Sequence, residues 1–80
     1  MAKFYFHLRD SIDHVLDPEG IECPTIEDVR VKALKCARDL IAGDAITGAI
    51  DLTYRIDVED VDGAVVYTIH FEDAVTIKRH

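Results

Sequence analysis

Several residue types are scarce in this chain, and each scarcity excludes a class of protein. Tryptophan is missing from the 80 residues, and there are only four glycines, two prolines and two cysteines. So little glycine and proline argues against a fibrous or low-complexity chain. Two cysteines are too few for the disulfide framework of a small secreted domain, and Cys23 and Cys36 lack the paired spacing of a zinc site. We therefore expect two reduced thiols in a reducing compartment.

Long apolar runs are also missing. No stretch approaches the roughly 20 apolar residues that a membrane helix requires, and Arg9 and Asp10 interrupt the opening segment where a signal peptide would need an apolar core. The sequence therefore predicts a cytoplasmic protein with no membrane partner. Its composition, 49% apolar and 31% charged, is typical of a globular chain, and 80 residues are too few for two stable cores. We expect one small domain over residues 1–80.

Basic residues are outnumbered. Nine lysines and arginines face sixteen aspartates and glutamates, so the net charge is about −7 at neutral pH. A field of this sign repels phosphate backbones at long range. Nucleic acid is therefore a disfavoured partner, although a local basic patch stays compatible with the composition.

A helix is indicated after Pro24. Thr25 is a good N-cap, and Asp28 stands three residues later, where an acidic side chain completes a capping-box-like arrangement. Either Gly43 or Gly48 is a suitable end. At 100° per residue, one apolar arc suited to packing on a sheet collects Ile26, Val29, Ala33, Cys36, Ala37, Leu40 and Ile41, whereas Val31 and Leu34 fall outside it.

Segments on both sides of this helix alternate between apolar and polar residues, which predicts half-buried strands. They are residues 3–9, a short segment at 14–16, residues 52–59 and residues 65–71, with Asp62-Gly63 as a hairpin turn between the last two. Each strand has one apolar face, and so has the helix. The predicted fold class is α+β, ββαββ, with a mostly antiparallel sheet of about four strands and one helix packed on one face.

The order of several short motifs resembles a known family. The motifs are the opening Tyr5-Phe6-His7-Leu8-Arg9-Asp10, then Glu19-Gly20-Ile21-Glu22, Ala33-Leu34, Ala37-Arg38-Asp39-Leu40, Ile56, Val58, Asp60, Gly63, and finally Phe71, Asp73, Ala74 and Val75. Together they resemble a family of short uncharacterised bacterial proteins classified as a domain of unknown function. This chain departs from the family at Ser11-Ile12-Asp13-His14, where a glycine-containing turn is more usual. The resemblance implies a complete small domain and no reaction, ligand or catalytic residue.

Two patterns invite a metal site, and both fail on their details. Residues 57–63 are acidic and end in glycine, but an EF-hand alignment on that glycine places Val58 first and Ile69 last, and neither side chain binds calcium. An acidic, solvated hairpin tip is favoured instead. His7 and His70 fall on the polar sides of their strands and would be neighbours if those strands paired, yet zinc needs further ligands. We predict surface histidines and neither metal nor cofactor.

Catalysis also lacks a complete set of groups. Cys23 lies just before a helix N-terminus, a position that activates thiols, but no spacing supplies a histidine and an orienting group beside it. Cys36 falls in the predicted core arc. We therefore predict a protein that is not an enzyme.

The leading functional hypothesis is a protein-binding or assembly module, including self-association as a homodimer. The last β-forming run, residues 65–71, would offer free backbone groups if it lay at a sheet edge. The outer sheet face is the other candidate surface. The residues predicted to contribute to it are His7, Arg9, Arg55, Val66 and His70.

The alternative hypothesis is a small regulatory, antitoxin-like domain that contacts nucleic acid. Its candidate residues are the helix cations Arg30, Lys32, Lys35 and Arg38 and the tail Lys78-Arg79-His80. The four helix cations spread over about 200° of the helix surface at 100° per residue, so they do not form one compact stripe.

Overall fold

The computed structural model describes residues 2–79, which form an α+β fold with five antiparallel strands and two helices. This confirms the predicted fold class. Among these residues, no helix combines the length and the apolar character needed to cross a bilayer. In chain order the elements are β1 (Ala2–Arg9), β2 (His14–Val15), β3 (Ile21–Cys23), α1 (Ile26–Thr47), β4 (Arg55–Glu59), β5 (Val65–His70) and α2 (Phe71–Ala74).

β1 organises the sheet, because it pairs with three other strands. The strand order is β2-β1-β4-β5. On the side of β1 away from β4, β3 pairs with the first residues of β1 and β2 pairs with its last residues. The sequence predicts about four strands, and the structure has these four and the short β3. β3 escaped prediction because three residues before a helix are too few to show an alternating pattern.

Asp17 fills the gap between β2 and β3. Its carboxylate accepts a hydrogen bond from the backbone N–H of Phe6 at 3.3 Å and another from that of Gly20 at 3.1 Å. Burial opposes ionisation of Asp17, but the backbone N–H donors around its carboxylate outweigh that effect and lower its pKa. A side chain thus replaces the missing strand partner at the middle of β1.

The turn between β1 and β2 forms without glycine. The Asp10 carboxylate accepts from the backbone N–H groups of Ile12 and Asp13 at 2.8 and 2.6 Å, which closes the turn from inside. The β4–β5 hairpin turns at Gly63, as predicted, with a φ of 83° that suits glycine.

Both ends of α1 follow sequence signals. The Thr25 hydroxyl accepts from the backbone N–H of Asp28 at 3.2 Å and donates to the Asp28 carboxylate at 2.8 Å, which satisfies one of the free N–H groups of the first turn. Of the two glycines suggested as an end, Gly48 is the one that caps α1, with a φ of 92°, and Gly43 lies inside the helix.

The buried stripe of α1 is narrower than predicted. Val29, Ala33, Ala37 and Ile41 are buried, as expected, but Ile26 and Leu40 are 51% and 43% exposed, so their assignment to the core is wrong. Ile26 is the first helical residue, and its side chain leans toward the N-terminus, where no earlier turn of helix lies beneath it. In contrast, Leu34, which was placed outside the arc, packs against the core.

The exposure of Leu40 follows from the width of the sheet. Four neighbouring strands span about 15–20 Å at about 4.8 Å each, whereas a helix with its side chains is about 10 Å wide. α1 packs on β4 and β5. Phe6 and Leu8 of β1 are consequently only half buried, and together with Leu40 they line a shallow groove of about 300 Å³.

The chain turns into α2 where a strand was expected to continue. Phe71 was predicted as the end of the last strand, but it is the first residue of α2. Its backbone N–H donates to the Tyr54 carbonyl at 3.0 Å, and its ring is buried, 6.0 Å from the Tyr54 ring. The side chain therefore closes the core at the end of β5.

Replacing Ile41 with alanine tests the buried stripe. Ile41→Ala should lower the free energy of unfolding by about 2–5 kcal/mol, because it removes buried methyl groups and leaves a cavity. Ile46→Ala is the matched control, since Ile46 lies on the same helix and is exposed, and it should change stability by less than about 0.5 kcal/mol. Equal losses in urea unfolding would contradict this orientation of α1.

Candidate functional site

The sheet face opposite α1 carries a cluster of polar side chains. We call it the outer face, and the strand registers place on it Tyr5, His7 and Arg9 of β1, His14 of β2, Arg55, Asp57 and Glu59 of β4, and Thr68 and His70 of β5. Four of the five residues predicted for an interaction surface lie on this face. One row crosses four strands in register, running His14, Arg9, Arg55 and His70.

Asp57 is the centre of the outer face. Its carboxylate accepts hydrogen bonds from Arg9 Nη1 at 3.1 Å, from Arg55 Nε at 3.1 Å and from the Thr68 hydroxyl at 2.8 Å. These donors come from β1, β4 and β5. Burial on its own would raise the pKa of Asp57, but the hydrogen bonds from Thr68 and Arg9 and the charge of Arg55 outweigh it and lower that pKa.

Arg9 joins two carboxylates. Besides Asp57, it binds Glu59 through Nη1 and Nη2, each at 3.1 Å from Oε2. The hydrogen bond with Asp57 is the largest cause of a raised pKa for Arg9, so the guanidinium stays charged. The terminal nitrogens of the Arg9 guanidinium already bind two protein carboxylates. Arg55 binds Asp57 through Nε alone, so it is the more accessible arginine of this face.

His7 is buried, with 8% of its surface exposed. The prediction of a surface histidine is therefore wrong, although its strand face was right. Its Nδ1 accepts from the backbone N–H of Asp17 at 3.0 Å, its Nε2 lies 3.5 Å from Glu59 Oε1, and its ring stacks on Tyr5 at 6.2 Å. Through these contacts, His7 connects the outer face to the segment around Asp17 that follows β2.

His7 and His70 are not neighbours. β4 lies between β1 and β5, so the two strands that carry these histidines do not pair. Within residues 2–79, no group of three or more histidine, cysteine, aspartate or glutamate side chains is arranged to hold a metal ion.

β5 is an edge strand, as suggested for the run at residues 65–71. Its backbone pairs only with β4 among the described strands. The Phe71 N–H donates to the Tyr54 carbonyl. Because every second residue of an antiparallel strand bonds to the same neighbour, Ile69 and Tyr67 also form their backbone hydrogen bonds with β4. Thr68 and His70 consequently direct their backbone N–H and C=O groups to the free side.

Val66 lies where the ladder between β4 and β5 is irregular. Val58 pairs with Tyr67 and Glu59 with Val65, so Val66 has no residue opposite it. Such a bulge bends the strand locally. Val65 and Val66 are 53% and 38% exposed, which places two apolar side chains at the beginning of the free edge.

The main residue that sequence reasoning missed is Asp57. The sequence places it on the polar side of the strand at 52–59 and in the acidic segment interpreted as a solvated hairpin tip, whereas the structure places it inside β4 and buried. A usable signal was present, because Asp57 alternates with Ile56 and Val58 and follows Arg55 on the polar side of its strand. Acids and arginines predicted for one sheet face are candidates for cross-strand pairs.

Three of the four helix cations proposed for nucleic acid have partners within the chain. Arg30 lies 3.5 Å from Glu27, Lys35 lies 2.8 Å from Asp39, and Arg38 Nε donates to the Ala74 carbonyl at 2.8 Å. The tail residue His80 lies outside the described residues. None of these contacts favours the nucleic-acid alternative, which stays a prediction.

The two cysteines are free thiols, as expected. Cys23 is buried in the core, and Cys36 is half buried. Burial raises the pKa of the Cys36 thiol, which keeps it protonated at neutral pH.

Asp57→Asn tests the role of the central carboxylate. The variant should lose about 1.5–3 kcal/mol of stability at pH 7, because charge-assisted hydrogen bonds to two arginines are weakened. Since the folded-state pKa is lowered, the ionised carboxylate stabilises the fold above its ordinary value of 3.8, and this contribution is lost as pH falls through the lower folded value.

The stability of the Asp57→Asn protein should therefore fall less steeply than that of the wild type below about pH 5. Asp62→Asn, in the exposed hairpin turn, is the control and should follow the wild-type profile. Parallel pH profiles for Asp57→Asn and the wild type would show that the carboxylate is not linked to folding.

Comparison with known proteins gives a family and no activity. The family model described as domain of unknown function DUF6894 matches residues 3–72. Searches of curated proteins and of solved structures found no match. Because the match covers β1 to β5 and the first residues of α2, the chain belongs to the DUF6894 family of domains of unknown function.

Proposed function

We propose that this protein is a non-enzymatic binding or assembly module that accepts a partner strand along the free edge of β5. The partner's backbone would extend the antiparallel sheet beyond β5. The outer face beside that edge, with Arg55 and His70, would contact the side chains of the added strand. The observation that carries this proposal is the open hydrogen-bonding edge at Thr68 and His70.

The composition of β5 supports this role. Proteins usually protect exposed strands with lysine, other charges or proline. The six residues of β5, Val-Val-Tyr-Thr-Ile-His, contain neither proline nor a lysine, arginine, aspartate or glutamate. The bulge at Val66 is the one protective feature visible in β5, and it lies at the beginning of the strand rather than along Thr68 to His70.

The edge is also held rigidly from behind. The Thr68 hydroxyl is bonded to Asp57, and the next residue after the strand, Phe71, is buried in the core. A strand fixed at its middle and at its end loses little conformational freedom when a partner pairs with it, and preorganisation of this kind favours binding.

The cellular setting is part of the same proposal. Cys23 and Cys36 are free thiols, which suits the reducing cytoplasm predicted from the sequence, and the family resemblance suggests a bacterial one. Self-association is one form that assembly through β5 would take.

Two substitutions at His70 test the contributions of its backbone N–H and of its side chain separately. His70 has a φ of −85°, close to the value of about −65° that proline requires, and its N–H points away from β4. His70→Pro should therefore remove one edge donor and leave the internal ladder intact. His70→Ala, the matched control, keeps the N–H and removes only the imidazole.

We expect wild type and His70→Ala to retain the same partner, measured by capture from the native host and by sedimentation for self-association, and His70→Pro to lose it at least tenfold. The two variants should melt within a few degrees of each other. Retention of the partner by a folded His70→Pro protein would rule out strand addition at β5.

A further inference from the structure

We infer that the partner strand carries positive charge at both of its ends. This inference rests on the proposed function and specifies the chemistry of the partner. It follows from the distribution of charge around β5, which is uncharged along its length and acidic at either end.

Acids flank both ends of β5. Asp60 and Asp62 lie in the turn before it, and Glu72 and Asp73 follow it directly in α2. Phe71 and Ala74 point into the core, so the two acids between them are exposed. A strand that pairs with β5 would therefore have carboxylates near each end, whichever direction it ran.

Two of the three arginines nearest to β5 are offset by carboxylates of the chain, Arg30 by Glu27 and Arg55 by Asp57, and Arg38 alone faces the two acids Glu72 and Asp73. Arg30 lies over the Tyr67 ring at 5.9 Å and near Glu27, Arg38 donates to the Ala74 carbonyl, and Arg55 donates to Asp57. The whole chain adds a net charge of about −7. A basic partner would be attracted at long range as well as at the edge.

A second copy of this chain fits the edge less well. Pairing β5 with another β5 in antiparallel orientation would bring Asp62 of one copy beside Glu72 and Asp73 of the other. Parallel pairing would place like ends together. Both orientations juxtapose carboxylates, and like charges close together oppose association.

The length of β5 sets the spacing of the partner's charges. Six residues at about 3.3 Å each span about 20 Å. We therefore expect a segment of about six uncharged, β-forming residues with lysine or arginine on both sides. The turn and α2 carboxylates would then lie within reach of those cations.

Three synthetic peptides test the inference. Each has three Thr-Val repeats, with blocked termini, flanked on both sides by a pair of lysines, of glutamines or of glutamates. At about 50 mM salt the lysine peptide should bind at least tenfold more tightly than the glutamate peptide, with the glutamine peptide between them. At about 500 mM salt the difference should shrink severalfold, because the charges are screened.

Two variants locate the effect. Asp62→Asn/Glu72→Gln/Asp73→Asn should lose most of the preference for lysine, and His70→Pro should lose binding of all three peptides relative to His70→Ala. Equal affinities for the three peptides, or no binding by any, overturn the inference. A lysine preference that persists in His70→Pro also overturns it, since the peptide would then bind elsewhere.

These outcomes are separate from those of the proposed function. Partner capture that depends on the N–H of His70, combined with equal peptide affinities, would support strand addition and reject a basic partner. Capture that is indifferent to His70→Pro rejects both.

Discussion

The carboxylate of Asp57 is the interaction on which this small sheet depends. One helix covers one face, so the opposite face has to hold its strands together with side chains of its own. Asp57 does this by accepting from Arg9 of β1, Arg55 of β4 and Thr68 of β5. The hydrogen bonds from Thr68 and Arg9 and the charge of Arg55 outweigh the desolvation of Asp57 and lower its pKa.

The same interaction gives the free edge its character. Because Thr68 is tied to Asp57 and Phe71 to the core, β5 is a fixed strand with one side of its backbone open. The opposite edge of the sheet consists of β2 and β3, two and three residues long, and of Asp17, whose carboxylate takes the place of a strand partner for Phe6. Very short edge strands offer little backbone to a partner, so we propose the six-residue β5 as the strand to which a partner adds. In that proposal, the acidic residues at both ends of β5 favour a basic partner.

Much of the architecture could be predicted from local signals. The Thr25 cap, the Gly63 turn and the alternating strands are properties of a few adjacent residues, and each is confirmed by the structure. What depends on distant contacts was not predictable. Leu40 lies on the predicted side of α1 yet is exposed, because the helix is narrower than the sheet. His7 is buried and bonded to the backbone of Asp17, ten residues away in sequence. Of the predicted surface residues, Val66, His70 and Arg55 are accessible, whereas Arg9 is taken up by Asp57 and Glu59.

Amide hydrogen exchange along β5, followed by NMR at low protein concentration, tests the central claim most directly. If β5 is an edge strand fixed from behind, exchange should alternate: the N–H groups of Tyr67 and Ile69 should be protected, and those of Thr68 and His70 should exchange rapidly. Comparable protection at all four residues would mean that something already covers the outer side of β5, and that would contradict an open edge.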